Sequence, residues 1–193
     1  MTVRVESAAV EPWADIAQVF GPQGRRADSC WCQRFRDADA PDNRAALHEE
    51  IAHADTPVAL IAYDKADAVG WTRVVPRATL PGITRNPALA LILDDDPSAW
   101  WVTCFVVRRD HRGEGIGVQL LGEAVAWARR HGASVLDGHP VDTDLLAGAP
   151  APSAVFTGTL RMFERVGFTE LGRTFPSRPV MRYVLSERRA VGE

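Results

Sequence analysis

Hydrophobic residues along the chain change repeatedly from one spacing to another, which is typical of a fold that mixes strands and helices. Continuous or alternating apolar runs predict a first strand around Val3 and Val5, and further strands at 58–63, 68–75, 100–107, 134–136, 168–171 and 178–185. Apolar residues three or four positions apart predict helices at 12–20, 42–54, 117–128 and 158–166. No internal repeat or second domain is evident, so we expect a single domain over residues 1–193.

A long proline-rich connection interrupts this alternation at 76–98. Its prolines predict at most short structure, and the acidic run Asp94 to Asp96 lies near its end. Long loops within compact domains are often functional, so the connection is a candidate substrate lid or dimer contact. The acidic run could attract a cationic amine, although a solvated loop end is the simpler explanation.

The composition suits a protein with a large core that does not bind nucleic acid. The chain has 193 residues, of which 46% are hydrophobic, and a formal net charge of -3, whereas a nucleic-acid surface is expected to be basic. Neither a signal peptide nor an apolar run of membrane-spanning length is evident, which predicts a cytoplasmic protein with no membrane contact. The three cysteines, an odd and sparse set, indicate reduced thiols.

A glycine-rich turn lies between the strand that ends at Val107 and the amphipathic helix that follows. Gly113, Gly115 and Gly117 stand at alternate positions, where the absence of a Cβ lets the backbone approach a ligand closely. Backbone N–H groups and the N-terminus of a helix converge at this turn, and together they form a favourable site for phosphate. We expect that a Cβ at any of the three glycines would push the phosphate away from these donors.

Two common phosphate-binding motifs fit this turn less well than a third. The loop of nucleoside-triphosphate enzymes requires a lysine after the glycines, and none is present. The dinucleotide fingerprint fits Gly113 and Gly115 and has an acidic residue about twenty positions on, Asp137, but its third glycine would fall on Val118. Too little chain follows for a doubly wound sheet, so a nicotinamide-dependent enzyme is the weaker alternative.

The segment from Val107 to Gly117 resembles the pyrophosphate loop of the GNAT (Gcn5-related N-acetyltransferase) acyltransferases, with Arg109 where proline is usual. The segment 161–168, RMFERVGF, is similar to the late helix of that family and its "GF" ending. Segments 101–105, 138–142 and 178–182 resemble a bacterial subgroup whose substrates are mostly unassigned. The resemblance covers nearly the whole chain. It implies an α/β (α+β) fold with a mixed, mostly antiparallel sheet of six to seven strands, helices on both faces, and a cofactor cleft between two splayed central strands.

The same resemblance implies an N-acetyltransferase that uses acetyl-CoA as cosubstrate and no metal. The acceptor would be a primary amine of a small molecule or peptide, attacking the thioester directly in a ternary complex. Dimers are common among relatives, so a homodimer is an expected assembly. The implied cofactor-binding residues belong to the strand end and the loop: Phe105, Val106, Val107, Arg112, Gly113, Glu114, Gly115, Ile116, Gly117 and Val118.

The catalytic residues depart from the pattern of this family, because the tyrosine that usually serves as its general acid corresponds to Phe163. The frequent asparagine of the same helix corresponds to Phe156, which is also apolar. His139 and Cys104 are the candidates, since imidazole suits acid–base work and a thiol could carry an acyl group. A solvated loop histidine and a buried strand cysteine are the simpler interpretations. The missing tyrosine also motivates an alternative function, a non-catalytic acyl-CoA-binding sensor or partner module.

The Cys30-x-Cys32 pair could be half of a metal site, but structural zinc prefers two intervening residues and a second pair. We therefore favour an aromatic wall formed with Trp31 and Phe35 over a metal site. In the resembling family, the early helices and their loop cover the acceptor site. Trp31 and Phe35 are accordingly the candidate substrate-binding residues.

Overall fold

The computed structural model describes residues 2–8, 13–22, 30–36 and 42–185. The strands are β1 (Arg4–Ser7), β2 (Ala59–Asp64), β3 (Asp67–Pro76), β4 (Trp100–Val107), β5 (Val135–Gly138), β6 (Thr169–Phe175) and β7 (Arg178–Val184). The helices are α1 (Trp13–Phe20), α2 (Asn43–His53), α3 (Pro81–Thr84), α4 (Pro87–Ala90), α5 (Ile116–Arg130) and α6 (Leu160–Val166). The predicted start of the first helix at residue 12 and most of the predicted loop 21–29 lie outside the described residues.

The strands form one seven-stranded sheet in the order β1-β2-β3-β4-β5-β7-β6. All neighbours are antiparallel except β4 and β5, so the predicted mixed, mostly antiparallel sheet is confirmed. The parallel pairing joins only residues 100–102 of β4 to residues 136–138 of β5. Beyond Val102, β4 continues to Val107 without β5, so the two central strands separate as expected.

A β-bulge at Thr103 divides β4 into two parts. Arg73 pairs with Cys104 but Val74 pairs with Val102, which leaves Thr103 as an extra residue. The bulge shifts the alternation of side chains, and Cys104 therefore joins the opposite core from Val102. Phe105 then packs on the same side as Val102.

Helices cover both faces of the sheet, as predicted. One core contains residues of α1 and α2 against β2, β3 and β4. The other contains the apolar stripe of α5, including Leu120, Leu121 and Ala124, together with Phe163 of α6. Local sequence explains the start of α2, where Asp42 accepts a 2.7 Å hydrogen bond from the Ala45 N–H.

The proline-rich connection contains only short helices, as predicted. α3 and α4 each begin at a proline, which is favourable at the first helical position. Leu80, Ile83 and Leu89 from this connection are buried, with at most 1% exposure. The connection is therefore anchored in the core.

A buried charge network joins this connection to β5 and β7. Asp137 is fully buried and accepts hydrogen bonds from Arg77 at 3.1 Å and from Arg182 at 2.7 and 2.8 Å. Arg182 also donates to Asp94, and the Asp94 carbonyl accepts from Arg77. Asp137 is thus enclosed by arginines, which removes the ribose-binding role that the dinucleotide alternative required. Asp94 lies in this network, so the acidic run is more than a solvated loop end.

Several element boundaries differ from the predictions, and two of the differences involve the site. β6 extends to Phe175, four residues further than expected, because its polar residues belong to an edge strand with two register shifts that hide any alternation. α5 begins at Ile116, so Gly117 lies inside the helix and not in the turn.

Candidate functional site

The turn before α5 owes its shape to two glycines in the left-handed region. Gly113 has φ +84° and Gly115, the residue immediately before the helix, has φ +80°. A Cβ on either residue would meet no atom within 4 Å. The protein therefore requires glycine here for backbone conformation, independently of any crowding by a ligand.

Gly117 faces α6 and not the turn, which differs from the role expected from sequence. It has ordinary helical geometry, and a Cβ at this position would lie 2.9 Å from Sδ of Met162 in α6. The absence of a side chain lets α5 and α6 pack closely. The third glycine of the motif thus positions two helices beside the turn.

The beginning of α5 presents unpaired backbone donors. The N–H groups of Ile116 and Gly117 precede the first intrahelical hydrogen bonds. The Val118 N–H, which was expected to bind the cofactor, instead donates to the Gly115 carbonyl at 3.1 Å. The helix dipole adds attraction for an anion at this end.

A cavity of about 400 Å³ opens beside these donors. It is lined by Thr2, Glu114, Gly115, Val118, Gln119 and Arg165. Arg165 brings a positive charge from α6 to the same opening. The side chain of Arg112 does not enter this lining; its Nε donates to the Val107 carbonyl at 3.3 Å.

At the end of β4, the backbone N–H of Phe105 is hydrogen bonded and that of Val107 faces the cleft. The Phe105 N–H donates to the Phe156 carbonyl at 2.7 Å, across the gap where β4 and β5 have separated. Successive residues of a strand point their N–H groups to opposite edges, so Val106 faces β3 and Val107 faces the gap. Of the three predicted strand contacts, the Val107 N–H is therefore the donor directed into the cleft.

Phe163 occupies a closed apolar position. It is fully buried, with its ring edge-on to Phe105 at 6.3 Å and to Phe168 at 4.9 Å between centroids. Gly138 permits this packing, because a Cβ there would lie 2.7 Å from Cζ of Phe163. The ring supplies no proton and belongs to the core.

His139 follows β5 and has partners on both ring nitrogens. Nε2 lies 2.8 Å from Oγ1 of Thr174, and Nδ1 lies 3.4 Å from Nη2 of Arg178. Because arginine only donates, Nδ1 is the acceptor and Nε2 carries the proton. Burial, together with the charge of Arg178, lowers the pKa of His139 to about 4. The imidazole is therefore neutral at neutral pH.

All three cysteines meet beside β4, although Cys30 and Cys104 are 74 residues apart. The sulfur atoms of Cys30 and Cys104 are 3.5 Å apart, and Sγ of Cys32 is 2.9 Å from Oγ1 of Thr103. Trp31 and Cys32 have φ values of +24° and +51°, an uncommon conformation for such residues. Nothing in the sequence spacing indicated this cluster.

The three thiols have different pKa values. Hydrogen bonds from the thiols of Cys104 and Cys32 lower the pKa of Cys30 far below its ordinary value. The hydrogen bond to Cys30 raises the pKa of Cys104, and burial raises the pKa of Cys32. Cys104 is fully buried and protonated. Of the catalytic roles that a cysteine can take, it therefore retains that of a proton donor and not that of a thiolate nucleophile.

The two predicted substrate-binding aromatics differ in access. Trp31 is 2% exposed and is stacked between Trp13 and Phe20, with ring centroids 5.5 and 4.2 Å away. Phe35 is partly exposed and accepts a backbone hydrogen bond from Gly82 at 2.9 Å. Trp31 thus supports the wall from within the core, and only Phe35 retains an exposed surface.

The described parts of the chain hold neither a metal-binding cluster nor a membrane-spanning helix. No group of three or more His, Cys, Asp or Glu side chains among the described residues is arranged to hold a metal ion. None of the helices in these parts is long and apolar enough to cross a membrane.

Comparisons with known proteins identify relatives of this chain. A sequence model described as the acetyltransferase (GNAT) family matches residues 25–146. No curated protein matches the chain significantly in sequence.

Solved structures share the fold at low sequence identity. The GNAT domain of PAT from S. lividans is 17% identical, with a TM-score of 0.61 over 96% of this chain and 92% of that one. Salmonella typhimurium yncA, solved with its cofactor acetyl-CoA, is 18% identical, with a TM-score of 0.59 over 98% of each chain. An N-acetyltransferase from Staphylococcus aureus is 13% identical, with a TM-score of 0.57 over 96% of this chain and 100% of that one.

Proposed function

The chain belongs to the GNAT family of acetyltransferases, and we propose that it transfers the acetyl group of acetyl-CoA to a primary amine by direct attack in a ternary complex. The observation that carries this proposal is the strand–turn–helix at 105–118. Its two left-handed glycines and the unpaired N–H groups of α5 form a cradle for a pyrophosphate.

The residues of this segment fit the chemistry of CoA. The Gly113 to Gly117 backbone would hold the pyrophosphate, and Arg165 would contribute a positive charge from the side of the cavity. The Val107 N–H would bind the pantetheine amide, and Arg112 could exchange its weak bond to Val107 for a phosphate oxygen. Acetyl-CoA supplies an activated thioester; the protein supplies position and proton transfer.

The acceptor side of the reaction requires a base and a donor near β4. His139 is our candidate base, because it is neutral at neutral pH. Its low pKa makes it a weak base, so its main contribution would be to orient the amine. Cys104 is our candidate donor to the leaving sulfur, since it keeps its proton beside Phe105. Phe163 takes no part in proton transfer.

The proposal is tested by incubating the protein with acetyl-CoA and a panel of amines and measuring release of free CoA. We expect release that depends on both the protein and an amine. A thermal-shift comparison should show stabilisation by CoA and not by NAD or NADP. No release across a broad panel, with CoA binding intact, would contradict catalysis.

A second candidate function is a non-catalytic acyl-CoA sensor. The specific observation in its favour is the fully buried Phe163 at the usual tyrosine position. This function predicts CoA binding without turnover, so clear acetyl transfer by the wild-type protein would exclude it.

A further inference from the structure

Two arginines from distant parts of the chain converge on one short segment. Arg178, at the start of β7, donates from Nη1 to Oγ1 of Thr157 at 3.2 Å. The guanidinium carbon of Arg34, from the segment between α1 and α2, lies 5.1 Å from the ring centroid of Phe156. Phe156 and Thr157 are adjacent in sequence, so the two positive charges flank the same two residues.

Arg34, which is exposed, and Arg178, which is partly buried, differ in their partners from the buried arginines of the protein. Arg73 pairs with Glu50, and Arg77 and Arg182 both pair with Asp137. Within residues 2–8, 13–22, 30–36 and 42–185, no carboxylate pairs with Arg34 or Arg178. Positive charge thus accumulates here, and burial together with the charge of Arg34 lowers the pKa of Arg178.

Neighbouring polar groups do not neutralise this charge. His139, which accepts from Arg178, is neutral at neutral pH. The charge of Arg34 also lowers the pKa of the Cys30 thiol, but it is the smallest of the influences that do so. An external anion would satisfy both guanidinium groups.

The position of Arg34 and Arg178 relative to β4 indicates which substrate would carry the anionic group. The Phe156 carbonyl accepts the Phe105 N–H, so the pair lies beside the strand that holds the thioester in the proposed function. A group bound between the arginines would belong to the acceptor. Guanidinium groups favour carboxylates, which they bind by charge-assisted hydrogen bonds.

We propose that Arg34 and Arg178 bind the carboxylate of the acceptor, so that the substrates are amines that carry a carboxylate, such as amino acids. This inference rests on the proposed function and adds a substrate class to it. Arg178 is held by Thr157 and provides the fixed contact, while the more exposed Arg34 closes over the acceptor from the other side.

The first experiment compares acetylation of free amino acids with that of their α-carboxamides by the wild-type protein. We expect kcat/KM to be roughly 10- to 100-fold higher for the carboxylates, the scale of a hydrogen bond to a charged group. Aminomethylphosphonate, tested beside glycine, distinguishes a carboxylate site from a phosphate site. Equal rates for acids and amides, or turnover restricted to amides or phosphonates, would overturn the inference and leave acetyl transfer intact.

Substitutions of the two arginines test whether they cause the preference for carboxylates over carboxamides. Arg178→Gln and Arg34→Gln should each bring the ratio of kcat/KM for acid over amide close to one, mainly by raising KM for the acid, and Arg178→Lys should restore part of the ratio. Because Arg178 also donates to His139, its loss is expected to change both rates, and the readout is therefore their ratio. A purely structural role would lower both rates equally. Arg4→Gln, which removes an exposed arginine of β1 paired with Glu6, is the matched control and should keep the wild-type preference.

A binding measurement separates failure of the inference from failure of the proposed function. N-acetylglycine and N-acetylglycinamide are titrated into the CoA-loaded protein and into its Arg178→Gln variant. Tighter binding of the acid by wild type alone supports the site even if turnover is absent. Equal affinity for the two compounds would overturn it.

Discussion

The N–H group of Phe105 donates a 2.7 Å hydrogen bond to the carbonyl of Phe156. This bond ties the free edge of β4 to the segment that leads into α6. It leaves Val107, two residues further, as the next amide that faces the cleft. The end of β4 therefore has one internal connection and one donor directed toward a ligand.

Hydrogen exchange should distinguish these two amides. In the free protein, the Phe105 amide is expected to exchange slowly and the Val107 amide faster. Addition of CoA should slow exchange at Val107 by about tenfold or more, because its N–H gains an acceptor. The measurement is amide exchange by NMR with and without CoA. Unchanged exchange at Val107 with CoA bound would place pantetheine elsewhere.

Substitution Gly115→Val should abolish CoA binding while the domain remains folded. A branched residue in the left-handed region costs about 1–2 kcal/mol in stability and displaces the donors of α5. Gly132→Val is the matched control, because Gly132 also has φ +77° and open space but follows the other end of α5. Isothermal titration with CoA should separate the two variants. Wild-type affinity in Gly115→Val would show that another loop holds the pyrophosphate.

The order of strands and helices was predictable because most elements retain one clear apolar spacing. The turn at 113–117 was also predictable, since its glycines follow a strand and precede an amphipathic helix. The bulge at Thr103 was not, because a single extra residue in an apolar strand leaves no mark in its hydrophobic pattern. The thiol cluster was not predicted either, since it depends on a contact between residues 74 positions apart.

Cys30 should be the first of the three thiols to be alkylated by iodoacetamide. Its low pKa keeps it a thiolate, and it is the only one of the three that is partly exposed. The rate should change less than about twofold between pH 8 and 6, whereas an ordinary thiol slows by roughly 80-fold over that range. Mass spectrometry of the alkylated peptide checks this. Cys30→Ser provides the blank, and preferential labelling of Cys104 would contradict the prediction.

Stability should fall as the pH is lowered from about 6.5 to 4, in part through His139. The pKa of this residue is lowered to about 4 in the folded protein, while the unfolded chain has the ordinary value of about 6.5. The unfolded state therefore binds a proton first. After allowance for partial solvation, the loss is about 1–2 kcal/mol.

Urea unfolding at pH 7 and pH 4.5 measures this effect. His139→Gln should reduce the difference between the two pH values. His53→Gln, at an exposed histidine of α2, should leave the difference unchanged. The same difference in His139→Gln as in wild type would refute the assignment.

Asp137→Asn should destabilise the protein by about 3–5 kcal/mol, because it leaves two arginines facing a neutral group in the core. Asp144→Asn removes an exposed ion pair with Arg161 and should cost roughly 0–1 kcal/mol. Denaturant unfolding of the two variants provides the comparison. Similar losses in both would mean that the Asp137 network contributes little.

The bulge at Thr103 also fixes the direction in which the rest of β4 faces. If Thr103 paired with β3 like its neighbours, every later residue of the strand would turn to the opposite face. Cys104 would then point toward α5 and away from Cys30, and Phe105 would leave the ring of Phe163. The Val107 amide would turn toward β3 and become inaccessible to a ligand. A slip of one residue in this register would therefore eliminate the thiol cluster, the aromatic contact and the cleft donor together, whereas deletion of Thr103 would remove the bulge and keep all three on their present sides.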